Sequence, residues 1–146
     1  MAPNPDPPDA ARLTGIPELD DAHEAFIEMA SRLNHAASEP MAPEVRERLV
    51  PELLQETIST VTQHFVAEER LMKSYGYRAL DPDRFGDHLE AHADFTAELC
   101  RVVCAMEHFN EAALKQLGRL LRDFAVMHSE RHDLPFVRHV SASATG

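Results

Sequence analysis

The chain has 146 residues, an apolar share of 44% and a formal net charge of −11. That length suits one domain with a real core, and no stretch nears the ~20 consecutive apolar residues of a membrane span. The acidic balance excludes nucleic acid as the expected partner, since phosphate binding needs basic patches, and two cysteines are too few for a disulfide scaffold.

Residues 1–13, with Pro3, Pro5, Pro7 and Pro8, read as a flexible lead-in, because proline removes donors and blocks helix propagation. This segment has no apolar core of its own, so it is not read as a secretory signal, and a cytoplasmic location is the default expectation. A first helix is marked by Ile16, Leu19, His23, Phe26, Ala30, Leu33 and Ala37 at steps of three and four, closed by Pro40 and Pro43. A short stretch from Glu44 to Val50 follows, interrupted at Pro51, which can open the next helix. That second long helix puts Leu54, Ile58, Val61, His64, Glu68, Leu71 and Tyr75 on one stripe. Gly76 stops it, and Gly76 to Gly86, with Pro82, reads as a loop.

The third helix is expected from Asp87 to Glu107, with His88, His92, Phe95, Leu99, Val102 and Met106 inward. Asn110 is a natural N-cap for the fourth, where Leu114, Leu117, Leu121, Phe124 and His128 share a stripe and Pro135 bounds the end. The fold class is therefore all-α, an antiparallel up-down-up-down four-helix bundle. Its expected limits are residues 14–139, with a flexible tail over 140–146.

Histidines interrupt the apolar stripe of each helix, where a structural bundle would carry Leu or Ile, since burying an unpartnered imidazole is costly. His64 and Glu68 are four apart, as are His88 and His92, so each pair stacks on one helix face. His128 and Asp133 are five apart, which in a regular helix sets them ~140° from each other; the carboxylate must then reach sideways. His23 adds a fifth imidazole. Five imidazoles and two carboxylates exceed a tetrahedral zinc site and fit two ions bridged by carboxylates. Such ligands suit iron, zinc, copper or manganese better than calcium. The Glu-x-x-His motifs of ferritin-like di-iron proteins are missing.

The order His23, then His64-x-x-x-Glu68, His88-x-x-x-His92 and His128-x-x-x-x-Asp133 resembles the full ligand pattern of the hemerythrin family. The stretch from His64 to Met72, the Tyr75-Gly76-Tyr77 that follows, and Leu19-Asp20 ahead of His23 are similar to that family as well. The resemblance spans about residues 16–134. It implies two non-haem iron ions with an oxo or hydroxo bridge and a position open to dioxygen. His88, His92 and His128 would then bind one iron, His23 and His64 the other, with Glu68 and Asp133 bridging. The implied function is reversible dioxygen binding for transport, storage or supply rather than catalysis. A sensor module, or an enzyme reducing peroxide or nitric oxide, is the alternative.

Phe26, Ile27, Phe65, Leu71, Phe124 and Met127 are candidates for a dry pocket wall. His132 reads as a surface histidine, as do His35, His108 and His139, and Glu69 as an exposed charge. Asp20 either orients His23, as carboxylates behind metal ligands do, or is a cap or a solvated carboxylate. Cys100 and Cys104, one turn apart, read as packed small apolar residues.

Overall fold

The structure, a computed structural model, describes residues 14–106, 108 and 110–145; the expected lead-in over 1–13 lies outside them. Every regular element among these residues is helical.

Helix α1, Pro17–Ser38, opens on a proline whose fixed φ suits the first turn, with Glu18 and Asp20 favourable to the N-terminal dipole. It buries the expected stripe: Leu19, Phe26, Ala30, Leu33 and Ala37.

Helix α2 runs unbroken over Pro43–Ser74, with Pro51 inside it. The expected break is therefore absent, and the buried neighbours Val50 and Leu53 show why. Packing on both sides of the proline holds a helix that has lost one N–H donor. The upper part of the inward stripe is also one residue off the expected one. Leu53 and Thr57 are buried, while Leu54 is half-buried and Ile58 exposed. Thr57 can face the core because its hydroxyl donates to the Leu53 carbonyl at 2.8 Å. Tyr75, read as inward, is 47% exposed beyond the last turn.

Gly76 ends α2 in the left-handed region, at φ 68°, where a residue with a Cβ is disfavoured. The segment expected as a loop then holds a short helix, α3, Tyr77–Leu80, and the start of α4, Pro82–Cys104. Asp81 caps α4 by accepting from the Arg84 N–H at 3.1 Å, and Pro82 occupies its first position. Asn110 caps α5, Glu111–His128, as expected, accepting from the Ala113 N–H at 3.1 Å.

After His128 the chain makes a five-residue π-turn, Ser129–Asp133, and continues as α6, Leu134–Thr145. Pro135 thus does not close the helix. Its missing donor falls just after the widened turn, where α-type bonding is already interrupted. Residues 140–145, expected as a tail, belong to this last helix.

Helix α1 packs chiefly along α5 and also on α2, while α4 lies against α2 and α5. At Gly118 a Cβ would come within 3.1 Å of the Ala30 carbonyl oxygen, so glycine sets the close approach of α5 to α1. Two apolar clusters result. The larger holds Phe26, Val61, Phe65, Phe95, Leu99 and Leu121. The smaller holds Leu19, Met72, Tyr77, Phe85 and Phe136. Along α1, α2, α4 and α5 to α6, the histidines and carboxylates fall between the members of these clusters. They form a polar layer with an apolar layer on either side.

Candidate metal centre

Each helix delivers its polar residues to this layer through the same periodicity that builds the core. His64, Glu68, His88, His92, His128 and Asp133 are buried, Asp133 and His88 completely. The His23 side chain keeps 13% exposure. All seven residues expected from the sequence meet here.

Glu68 divides its oxygens between two groups of imidazoles. Oε1 faces His88 Nε2, with His128 Nε2 at 3.3 Å and His92 Nε2 at 3.6 Å. Oε2 faces His64 Nε2 at 2.8 Å. Asp133 divides in the same sense. Its Oδ1 is 3.2 Å from both His88 Nε2 and His128 Nε2, and its Oδ2 is 2.6 Å from His23 Nε2. One group therefore contains His88, His92 and His128, the other His23 and His64, and each carboxylate spans both. The ligand atoms of Glu68, His88, His92 and His128 all lie within 4.8 Å of one another.

The five-residue step from His128 to Asp133 works because the turn between them is π-wound. The Leu134 N–H bonds to the Ser129 carbonyl, one residue beyond the α pattern. With i→i+5 bonding, residues five apart return to one face. The ~140° offset of a regular helix does not arise.

These side chains fit a bound cation better than they fit one another. Among the described residues, every ion-pair partner of Glu68 and Asp133 is a histidine. His64 Nε2, His88 Nε2, Glu68 Oε2 and Asp133 Oδ1 are buried without a hydrogen bond although they point into a shared space. Orphaned polar atoms of this sort are costly unless an ion engages them.

The electrostatics agree. Burial pushes the Glu68 carboxyl up, but the neighbouring Asp133 and the imidazoles of His128, His64 and His88 outweigh it and hold it well below the usual range. Asp133 is also held low, despite burial and the Glu68 charge, by His128 and His23. Burial opposes charge on His128, yet Asp133 and Glu68 raise it to about 9. His88 is raised by the same carboxylates. On His92 burial wins, and its pKa is lowered.

Aromatic rings close the inner side. Phe65 stacks on His92 with centroids 4.0 Å apart, Phe124 on His128 at 4.4 Å, and Phe26 meets His64 edge-on at 5.0 Å. Of the other expected wall residues, Ile27 is only partly buried against the larger cluster. Leu71 packs on the smaller cluster, and Met127 is 43% exposed.

Several neighbouring residues differ from expectation. His132 is half-buried rather than superficial, with its ring 5.2 Å from His88 and 5.0 Å from His128. Burial and the adjacent His128 lower its pKa to about 4. His139, on α6, is half-buried against Tyr77 at 5.9 Å; His35 and His108 are exposed. Glu69 is a neighbour of the site that periodicity does not reveal, its Oε1 3.6 Å from His92 Nδ1. Asp20 does not orient His23: it accepts from the Thr14 N–H and hydroxyl, both at 2.8 Å, and from the Gly15 N–H at 3.2 Å. Cys100 and Cys104 are exposed thiols, not packed residues.

A family model described as Hemerythrin HHE cation binding domain matches residues 14–134. No curated protein and no solved structure matches the chain.

Proposed function

The chain belongs to the hemerythrin family, and on that premise we propose that it is a non-haem di-iron protein that binds dioxygen reversibly, as carrier, store or supplier. His88, His92 and His128 hold one iron and His23 and His64 the other. Glu68 and Asp133 would serve both ions, and the family resemblance implies an oxo or hydroxo group between them. The observation that carries this reading is the division of each carboxylate's oxygens between the two imidazole groups.

When bound, the iron pair supplies electrons to dioxygen and recovers them on release. The protein's part is to hold and shield. The ion held by His23 and His64 would have fewer protein ligands than its neighbour, which would leave a position for a ligand, as in open metal sites. Phe26, Phe65 and Phe124 keep water from that layer. Residues 14–139 form the functional unit in this reading, with the long helices in up-down-up-down order. No helix among the described residues is long and apolar enough to cross a membrane, and a cytoplasmic setting remains the expectation.

Metal analysis of protein purified without added metal tests the centre; two irons per chain are expected. Admitting oxygen to the reduced form should give a new absorption spectrum that reverts when oxygen is removed. Spectra that do not revert, or turnover of peroxide or nitric oxide, would replace oxygen carriage with sensing or catalysis.

A further inference from the structure

The outer seam between α2 and α4 reaches the metal centre at His92, which lines one of its grooves from within, and its surface composition sets it apart. From Thr57 to Ala67, α2 has no Asp, Glu, Lys or Arg, in a chain of which 27% is charged. Across the seam, α4 presents Ala93, Thr96, Ala97, Cys100 and Val103. The neighbouring seams are different. Arg32 and Glu56 form an ion pair at 2.7 Å between α1 and α2. The groove between α4 and α5 is lined by Asp94, Glu98, Asp123 and Arg131.

The exposed apolar residues of the seam are also evenly disposed about Thr62. Ile58 is 37% exposed and Val66 41%, and Thr62 lies midway, four residues from each on the same helix face. A groove of about 520 Å³ lies on either side of Thr62 and shares it as lining, one beside Ile58 and Val103, the other beside Val66 and Cys100.

We propose that this seam is the interface of a homodimer, with the two-fold axis passing at Thr62. Two-fold contacts are self-complementary. An antiparallel crossing of the two α2 helices sets Ile58 of each copy against Val66 of the other, and the small Thr62 lets the backbones approach. Charge selects a second copy here. Two chains of −11 repel wherever their acidic excess faces, and this seam lets them meet without opposed carboxylates. Glu69 at one end and Glu47 at the other make a charged rim. Pro51 to Val66 spans ~22 Å at ~1.5 Å per residue, so the contact is at the small end for a specific interface. The dimer is therefore weak, and salt tightens it by screening the repulsion.

Sedimentation equilibrium from micromolar to hundreds of micromolar protein tests this at low and high salt. The wild type should approach a dimer with rising concentration, more readily at high salt. Thr62→Glu should be monomeric throughout with unchanged far-UV circular dichroism, whereas Leu80→Glu, 43% exposed and off the seam, should dimerise like the wild type. In a Cys100→Ser, Cys104→Ser background, Thr62→Cys should be captured as a dimer by a short bismaleimide. A wild type that stays monomeric, a dimer unaffected by Thr62→Glu, or no capture through Thr62→Cys overturns the proposal.

Discussion

His128 and Asp133 stand five residues apart, yet Nε2 of one lies 3.2 Å from Oδ1 of the other. The π-turn between them makes this possible and aims the other Asp133 oxygen at His23, 2.6 Å away. Asp133 is thus positioned to span both imidazole groups. Asp133→Asn keeps the shape and removes the charge. In the di-iron reading, iron content should fall from two per chain toward one, with helicity unchanged. Two irons retained would show that Glu68 alone suffices as a bridge.

Ligands and neighbours should separate in the same assay. His64→Ala and His92→Ala should each abolish stoichiometric loading. His132→Ala should leave it at the wild-type level, because that ring flanks His88 and His128, its centroid 5.2 and 5.0 Å from theirs, while the carboxylates of Glu68 and Asp133 face the other histidines. Loss of one iron in His132→Ala would mean that the last helix contributes a ligand different from the one assigned.

Much of this was legible in the sequence for a definite reason. Core and site share one periodicity, so the steps that place Leu19, Phe26 and Leu33 inward also carry His23 inward. Of the features that escaped it, three have a clear physical reason. Whether Pro51 interrupts a helix depends on what packs around Val50 and Leu53, which is tertiary information. A π-turn has no strong residue signature, so the spacing of His128 and Asp133 looked wrong for a helix when it is right for this one. Thr57 outcompeted Ile58 for the core because a hydroxyl can satisfy itself on the preceding turn. The Asp81 cap and Pro82, by contrast, were readable signals of a helix start.

Pro51 lies within a continuous helix and supplies no donor to the preceding turn. Proline in a helix interior costs about 3 kcal/mol relative to alanine, part of which returns through the stiffer unfolded chain. Pro51→Ala should therefore raise unfolding free energy in urea by ~1–2 kcal/mol. A loss of stability would show that the proline's bend is needed to seat the upper turns of α2.

Gly118 makes the opposite case. Its missing Cβ leaves room for the Ala30 carbonyl, backbone that cannot swing aside. Gly118→Val forces α5 away from α1 and overpacks the larger cluster, at a cost of ~1–3 kcal/mol. The urea midpoint should fall without a large change in slope. An unchanged midpoint would mean that the two helices slide freely.

The metal-free protein should show a pH dependence set by the buried histidines and carboxylates. His128 is raised to about 9 when folded against an ordinary value near 6.5, so its contribution is complete below about pH 6.5 and is lost as pH rises through 9. Glu68 and Asp133 are held low, so theirs is complete above about pH 4.5 and is lost on acidification. His132, lowered to about 4, and His92, also lowered, cost stability below about pH 6.5, so stability without metal should peak near pH 6.5 and decline toward pH 9. Metal loading needs imidazoles free of protons, so affinity rises with pH over the range in which the empty fold weakens. Urea titrations of chelator-treated and iron-loaded protein at pH 6 and pH 8.5 should therefore diverge, the gap widening at the higher pH. Parallel curves would mean that the histidines around Glu68 and Asp133 are uncharged in the empty protein.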